Sequence, residues 1–368
     1  MRSGRSAGLV VLVATAVAAA TGCAQPSDAA RQPLTLPERI DSVVLAHLRS
    51  GPVPSAAVAV VRGADTLVLR GYGMADRDGA RAAGPATIYA LGSVTKQFTA
   101  AAIMRLVEQG KVGLEDDLSR YVPTFPLQGR RVSIRQLLNH TSGIPSVTAD
   151  PAFWAASARD LPPDSVVAFV AGDPFDFEPG TGWRYNNTGY VLLGMVIEQV
   201  TRQSYADYVD EQLFQPLGLR HTRYCPPMTG RDTSYARGYT SGLQPAQYIS
   251  MTGPYSAGAL CSSARDYVVW QRALHEGRVV SAQSYQLMTT TTVLPGGQDT
   301  GYGFGLFVGT LGPYRMIQHS GGINGFAAMQ AYFPDASLSV LLLTTTDAAN
   351  PAPVALAIAR VVLGVPPT

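Results

Sequence analysis

Ser93-Val94-Thr95-Lys96-Gln97-Phe98-Thr99-Ala100-Ala101-Ala102-Ile103-Met104-Arg105-Leu106-Val107 is apolar around most of its circumference, so the run from Ser93 to Gln109 reads as a helix buried at the centre of a fold. Gly110 closes it. A serine and a lysine stand three residues apart at its start, which places both side chains on one helical face within reach of each other. The chain has 26 arginines and two lysines, Lys96 and Lys111. Arginine can supply charge but cannot release its proton, whereas a desolvated lysine can become a neutral base. Ser93 would sit where the helix dipole and free N–H groups favour developing negative charge. Lys111 follows Gly110, has no partner motif and reads as a surface residue.

Outward from this helix, Leu36 to Ser50 has Ile40, Val43, Val44 and Leu48 on one face and is closed by Gly51-Pro52. Ala56 to Arg62 and Thr66 to Tyr72 are β-rich runs separated by Gly63-Ala64-Asp65, a hairpin signal. Helical patterns are expected at 133–140, 164–171, 188–202, 204–213, 263–276 and 281–289, with Pro and Gly between them. Strands return at 303–309, 314–319, 325–333 and 338–344, and a helix at 353–363 follows. Strands at both ends with helices between imply one sheet built from distant segments and an inserted helical lobe at about 97–290. A cleft between the two is where a site is expected.

Two further short motifs lie where such a cleft would be. Tyr185-Asn186-Asn187 sits in a loop just before a helix, within Glu178-Pro179-Gly180-Thr181-Gly182-Trp183-Arg184-Tyr185. His319-Ser320-Gly321-Gly322 ends an expected strand. Each is common alone; Ser-x-x-Lys, Tyr-x-Asn and His-Ser-Gly in this order are together specific.

With these three motifs the chain resembles the serine β-lactamase and penicillin-binding protein superfamily, in the branch of class C β-lactamases, D-alanyl-D-alanine carboxypeptidases and related esterases and D-aminopeptidases. Leu137-Leu138-Asn139-His140-Thr141-Ser142-Gly143, Pro216-Leu217-Gly218-Leu219, Ser256-Ala257-Gly258-Ala259-Leu260 and Tyr302-Gly303-Phe304-Gly305 are similar to supporting segments of that branch. The resemblance implies a β-lactamase/transpeptidase-like fold, α/β plus all-α, over 36–365, with an antiparallel sheet and flanking helices. It implies an acyl-enzyme hydrolase without cofactor or metal: Ser93 as nucleophile, Lys96 as base, Tyr185 as proton relay, and the N–H groups of Ser93 and Gly322 on the oxyanion. Asn187 is expected to hold the substrate amide and Lys96, or only to cap the following helix. Gly321 lets the strand approach the substrate. His319 and Ser320 are expected to donate to a substrate carboxylate or carbonyl, with a satisfied buried histidine as the other reading. His319 stands where class C β-lactamases usually have Lys, which orders the substrates as D-residue peptide or small ester first and β-lactam second. A penicillin- or peptidoglycan-binding receptor without turnover is the reading from another class.

Composition agrees with a hydrolase of small-molecule or peptide substrates. The chain of 368 residues is 46% hydrophobic, 15% charged and near neutral at +2, with no run of like charge to bind nucleic acid. His47, His140, His221, His275 and His319 lack metal-ligand spacing. No Gly-x-Ser-x-Gly elbow occurs. Arg2 and Arg5 followed by an apolar stretch from Ala7 to Ala20 read as an export signal over 1–22, and 23–35 as a flexible tether. Ala20-Thr21-Gly22-Cys23 is similar to a bacterial lipoprotein box with Ala for the usual Leu, so the expected location is periplasmic or extracellular, with a possible lipid anchor at Cys23. In an oxidising compartment Cys225 and Cys261 either pair or remain two small buried side chains.

Overall fold

The computed structural model describes residues 33–228, 232–348 and 350–366; the expected signal, Cys23 and most of the tether lie outside them. Seven strands form an antiparallel sheet in the order β3-β2-β1-β10-β9-β8-β7. These are β1 (Ser55–Arg62), β2 (Asp65–Asp76), β3 (Arg81–Ala82), β7 (Phe307–Leu311), β8 (Tyr314–Ile323), β9 (Phe326–Phe333) and β10 (Leu338–Thr344). The two ends of the chain meet at the centre of this sheet: Ala56 pairs with Thr344, Val58 with Leu342 and Val60 with Val340.

Both faces are covered, which explains why β1 and β10 are continuous apolar runs. Alternation divides their side chains between two cores. Ala56, Val58, Val60, Val340 and Leu342 pack with Ile40 and Val44 of α1 (Leu36–Ser50) and Ile358 and Ala359 of α12 (Ala352–Leu363). Ala57, Ala59, Leu341 and Leu343 face the larger core on the other side.

That second core holds α2 (Lys96–Glu108), ringed by α3 (Ile134–Leu138), α4 (Pro151–Ala156), α5 (Pro163–Ala168), α6 (Asn187–Thr201), α7 (Tyr205–Val209), α8 (Gln215–Leu217), α9 (Tyr255–Gly258), α10 (Ala264–His275) and α11 (Ala282–Met288). Every residue of α2 from Lys96 to Met104 is buried. Phe98 stacks on Trp270 at 4.0 Å, and the one amide in this stretch, Gln97, is satisfied by Tyr267 (2.7 Å) and the Trp270 indole (3.0 Å). A buried amide needs partners for its polar atoms, and Gln97 has them.

The middle of the chain is less uniformly helical than expected. A second sheet of order β4-β6-β5 lies in it: β4 (Ile88–Ala90), β5 (Arg223–Tyr224) and β6 (Leu260–Ser263). These strands of two to four residues are too short to show a period-2 pattern. A disulfide joins Cys225 to Cys261 with a Cα separation of 5.2 Å, fastening the segment after β5 to β6. The strand expected at 303–309 begins instead at Phe307, because Gly305 (φ +71°) turns the chain and the Gly303 N–H closes that turn on the Leu306 carbonyl. Ser93 lies in a 3-10 turn, Gly92–Thr95, and the α-helix proper begins at Lys96.

Candidate active site

Glycines bring the nucleophile turn and the edge of the sheet together. Gly92 has φ +52°, and a Cβ there would lie 2.8 Å from the Gly322 nitrogen; a Cβ on Gly321 would lie 2.0 Å from the Leu91 carbonyl and 3.1 Å from the Ser93 nitrogen. Only residues without Cβ allow β8 to run against residues 91–93 at this distance. The backbone N–H groups of Ser93 and Gly322 are therefore neighbours at the mouth of the cleft. The turn is fixed from behind, where the Leu91 N–H donates to the Leu260 carbonyl (2.9 Å) and the Leu260 N–H to Thr95 Oγ1 (3.1 Å).

Lys96 is fully buried beneath Ser93. Its Nζ lies 3.1 Å from Ser93 Oγ, 2.7 Å from Asn187 Oδ1 and 2.9 Å from the Ala257 carbonyl. Burial holds its pKa well below the ordinary lysine value, because the charged form loses water. A neutral amine has two N–H bonds and one lone pair. The Ala257 carbonyl and Asn187 Oδ1 can only accept, so they take the two N–H bonds and leave the lone pair for the Ser93 hydroxyl. Asn187 presents its oxygen because its Nδ2 donates to Thr148 Oγ1 at 3.0 Å.

The Tyr-x-Asn loop delivers Asn187 through a division of labour. Asn186 is the cap of α6: its Oδ1 accepts from the Gly189 N–H at 2.6 Å. Asn187 is then free to turn inward as the first helical residue, where it contacts Lys96 instead of capping the helix. The ring of Tyr185 lies 4.8 Å from Lys96 Nζ. Its hydroxyl is enclosed and has no partner at full hydrogen-bond geometry, with Ser93 beside it. Burial raises its pKa, and the Ser93 contact partly offsets that rise.

His319 is buried beneath the cleft, its ring 5.9 Å from that of Tyr185, and both of its nitrogens have internal partners, so of the two readings it is the satisfied buried histidine. It is 1% exposed. Nδ1 donates to the Ser320 carbonyl (2.6 Å), which can only accept, so Nε2 accepts from the Tyr302 hydroxyl at 3.1 Å. Burial and the nearby Lys96 push its pKa down to about 3, so the ring is neutral. Alternation along β8 is the reason: His319 faces the core, while Ser320 and Gly322 are exposed on the opposite face. Sequence reasoning also passed over the Ala257 carbonyl and Thr148, which hold and orient the Lys96 cluster. His140 adopts φ +65°, accepts the Asn186 N–H at Nδ1 (3.2 Å), and its ring lies 4.6 Å from that of Tyr185. The His140-Thr141-Ser142-Gly143 segment was the available signal for it.

The Beta-lactamase family profile matches residues 40–364. Among characterised proteins the chain is 31% identical over 310 residues to penicillin-binding protein 4* of Bacillus subtilis (strain 168), covering 80% of this chain and 68% of that protein. It is 35% identical over 192 residues to protein flp of Staphylococcus aureus (strain N315), covering 51% of this chain and 38% of that one. Among solved structures it is similar to a D-stereospecific amidohydrolase from a Streptomyces species, at 28% identity and a TM-score of 0.78 over 89% of this chain and 99% of the other. The fold of that comparison, the profile over nearly all described residues and the Ser93 and Lys96 pair agree: the chain belongs to the beta-lactamase family, within the serine β-lactamase and penicillin-binding protein superfamily.

Proposed function

We propose that this β-lactamase-fold hydrolase works through an acyl-enzyme on Ser93 and cleaves a D-amino-acid peptide or amide, or a small ester. The observation that carries the reading is the two-acceptor cage around Lys96, which leaves its lone pair facing Ser93. As Ser93 Oγ attacks the carbonyl carbon, its proton passes to Lys96 Nζ and the carbonyl π pair moves to oxygen, beside the Ser93 and Gly322 N–H groups. Collapse breaks the C–N or C–O bond, and the leaving group takes a proton from Lys96 by way of Tyr185. Water then adds to the acyl carbon and loses a proton to the same pair; collapse breaks the C–Oγ bond, and that proton passes to Ser93 Oγ, freeing the carboxylic acid product.

His319 supports placing β-lactams second. As a neutral ring turned inward it offers no cation to a β-lactam carboxylate. A receptor that is acylated and never released would keep the same cage, so turnover decides between the two. Ser93→Ala should abolish hydrolysis of p-nitrophenyl esters and D-amino-acid p-nitroanilides, and intact mass over time should show the wild-type adduct forming and clearing. Unchanged hydrolysis in Ser93→Ala would sink the proposal. We also place the protein outside the cytoplasm, a reading supported by the export-like residues 1–22 and the Cys225–Cys261 disulfide. Metabolic labelling with a fatty acid, compared between wild type and Cys23→Ala, tests the anchor.

A further inference from the structure

We propose that the cavity beside Ser93 selects substrates with an apolar acyl group and no charge next to the scissile carbonyl. This deepens the serine-hydrolase reading and rests on it. The cavity has an empty volume of ≈ 500 Å³ including its open mouth, and around Ser93 and Asn187 its walls are Val147, Phe153, Trp154, Val191, Ile249 and Ile323. None of the described residues lining it carries a charged side chain. Lys96 lies behind Ser93 with its contacts taken by Asn187 and Ala257. An acyl group entering the cavity exchanges water for hydrocarbon. A carboxylate or ammonium there loses its hydration and meets no counter-ion.

The wall is built to keep its shape. The Val147 N–H donates to Thr188 Oγ1 (2.8 Å), and that hydroxyl donates to the Pro145 carbonyl (2.8 Å). Trp154 Nε1 donates to the Thr148 carbonyl (2.9 Å), and Phe153 packs edge-on against Trp154 with centroids 5.3 Å apart. These contacts hold 145–154 as one side of the cavity, an apolar wall that offers a charged acyl group no partner. A free D-amino-acid amide therefore fits less well than its N-acylated form.

Two matched pairs test this. p-Nitrophenyl butyrate and p-nitrophenyl hemisuccinate share chain length and leaving group, as do N-acetyl-D-phenylalanine p-nitroanilide and D-phenylalanine p-nitroanilide. We expect kcat/KM at pH 7.5 to favour the neutral member of each pair by at least about tenfold. Ile323→Lys, at the part-exposed end of β8, should narrow the ester ratio by raising hemisuccinate turnover relative to butyrate, with folding checked independently by circular dichroism. Equal or reversed preferences in wild type would overturn the inference and leave the hydrolase reading standing. Failure of all four compounds to react, with no Ser93 adduct by mass, would overturn both.

Discussion

Lys96 and His319 are two buried nitrogen bases under the same cleft, and both are driven toward neutrality by loss of water. Their surroundings differ in one respect. The carbonyl of Ala257 and the amide oxygen of Asn187 occupy two positions around Lys96 and leave the third facing a part-exposed serine, whereas both nitrogens of His319 end on internal partners, Tyr302 and the Ser320 carbonyl. Desolvation alone does not make a base useful. A base also needs a lone pair directed at a reacting group; in the proposed mechanism that group is Ser93, and of these two bases it is Lys96 that faces it.

Substitutions at the two centres should separate these roles. Lys96→Arg replaces the deprotonable amine with a fixed cation, so Ser93 acylation should fall by about 10³-fold or more in whatever fraction folds. An active, folded variant, scored by ester turnover and circular dichroism, would erase the distinction between the two bases. Tyr185→Phe removes the hydroxyl beside Ser93 and keeps the ring over Lys96; a loss of about 10²-fold in kcat is expected. His319→Gln should act the other way round. Turnover should change by less than about tenfold, while His319→Leu, which offers Tyr302 no acceptor, should lower unfolding free energy by about 1–3 kcal/mol in denaturant titrations.

The smallest expected effect is on pH dependence. The folded pKa of His319 is about 3 and the unfolded value about 6.5, so below pH 6.5 the unfolded chain takes up the proton first. Stability should fall as pH drops from 6.5 toward 3, and less steeply in His319→Gln. Lys96 has the same sign in a higher window. Its folded pKa lies below the unfolded value of about 10.4, so stability rises with pH up to that value. Acylation should fail as pH drops through the folded value, when the lone pair is lost. A pH–rate profile for kcat/KM measures that limb directly.

Much of this was legible in the residues. The all-round apolar pattern of α2 marked a buried helix, and apolar strands at both chain ends marked a shared sheet. The clustering of Ser93, Lys96, Tyr185 and Asn187 was expected from three spaced motifs. What escaped were features without side-chain signals. The Ala257 carbonyl is backbone, and any residue could supply it. The strands β4, β5 and β6 are shorter than one readable period. The direction of His319 depended on which parity of β8 faces the core, and Ser320-Gly321-Gly322 has no apolar residue to reveal it.

The pairing of β1 with β10 has a consequence for assembly. Ser55 and Thr345, 290 positions apart, share a hydrogen bond at 3.1 Å, so the sheet cannot close before almost the whole chain is available. High contact order of this kind slows folding, because the entropy of closing so large a loop is lost before the contacts form. It also brings α1 and α12 side by side on the same face of the sheet. A circularly permuted chain, with a linker running from α12 to α1 and a new opening at a surface loop, should fold to the same sheet by a shorter-range route.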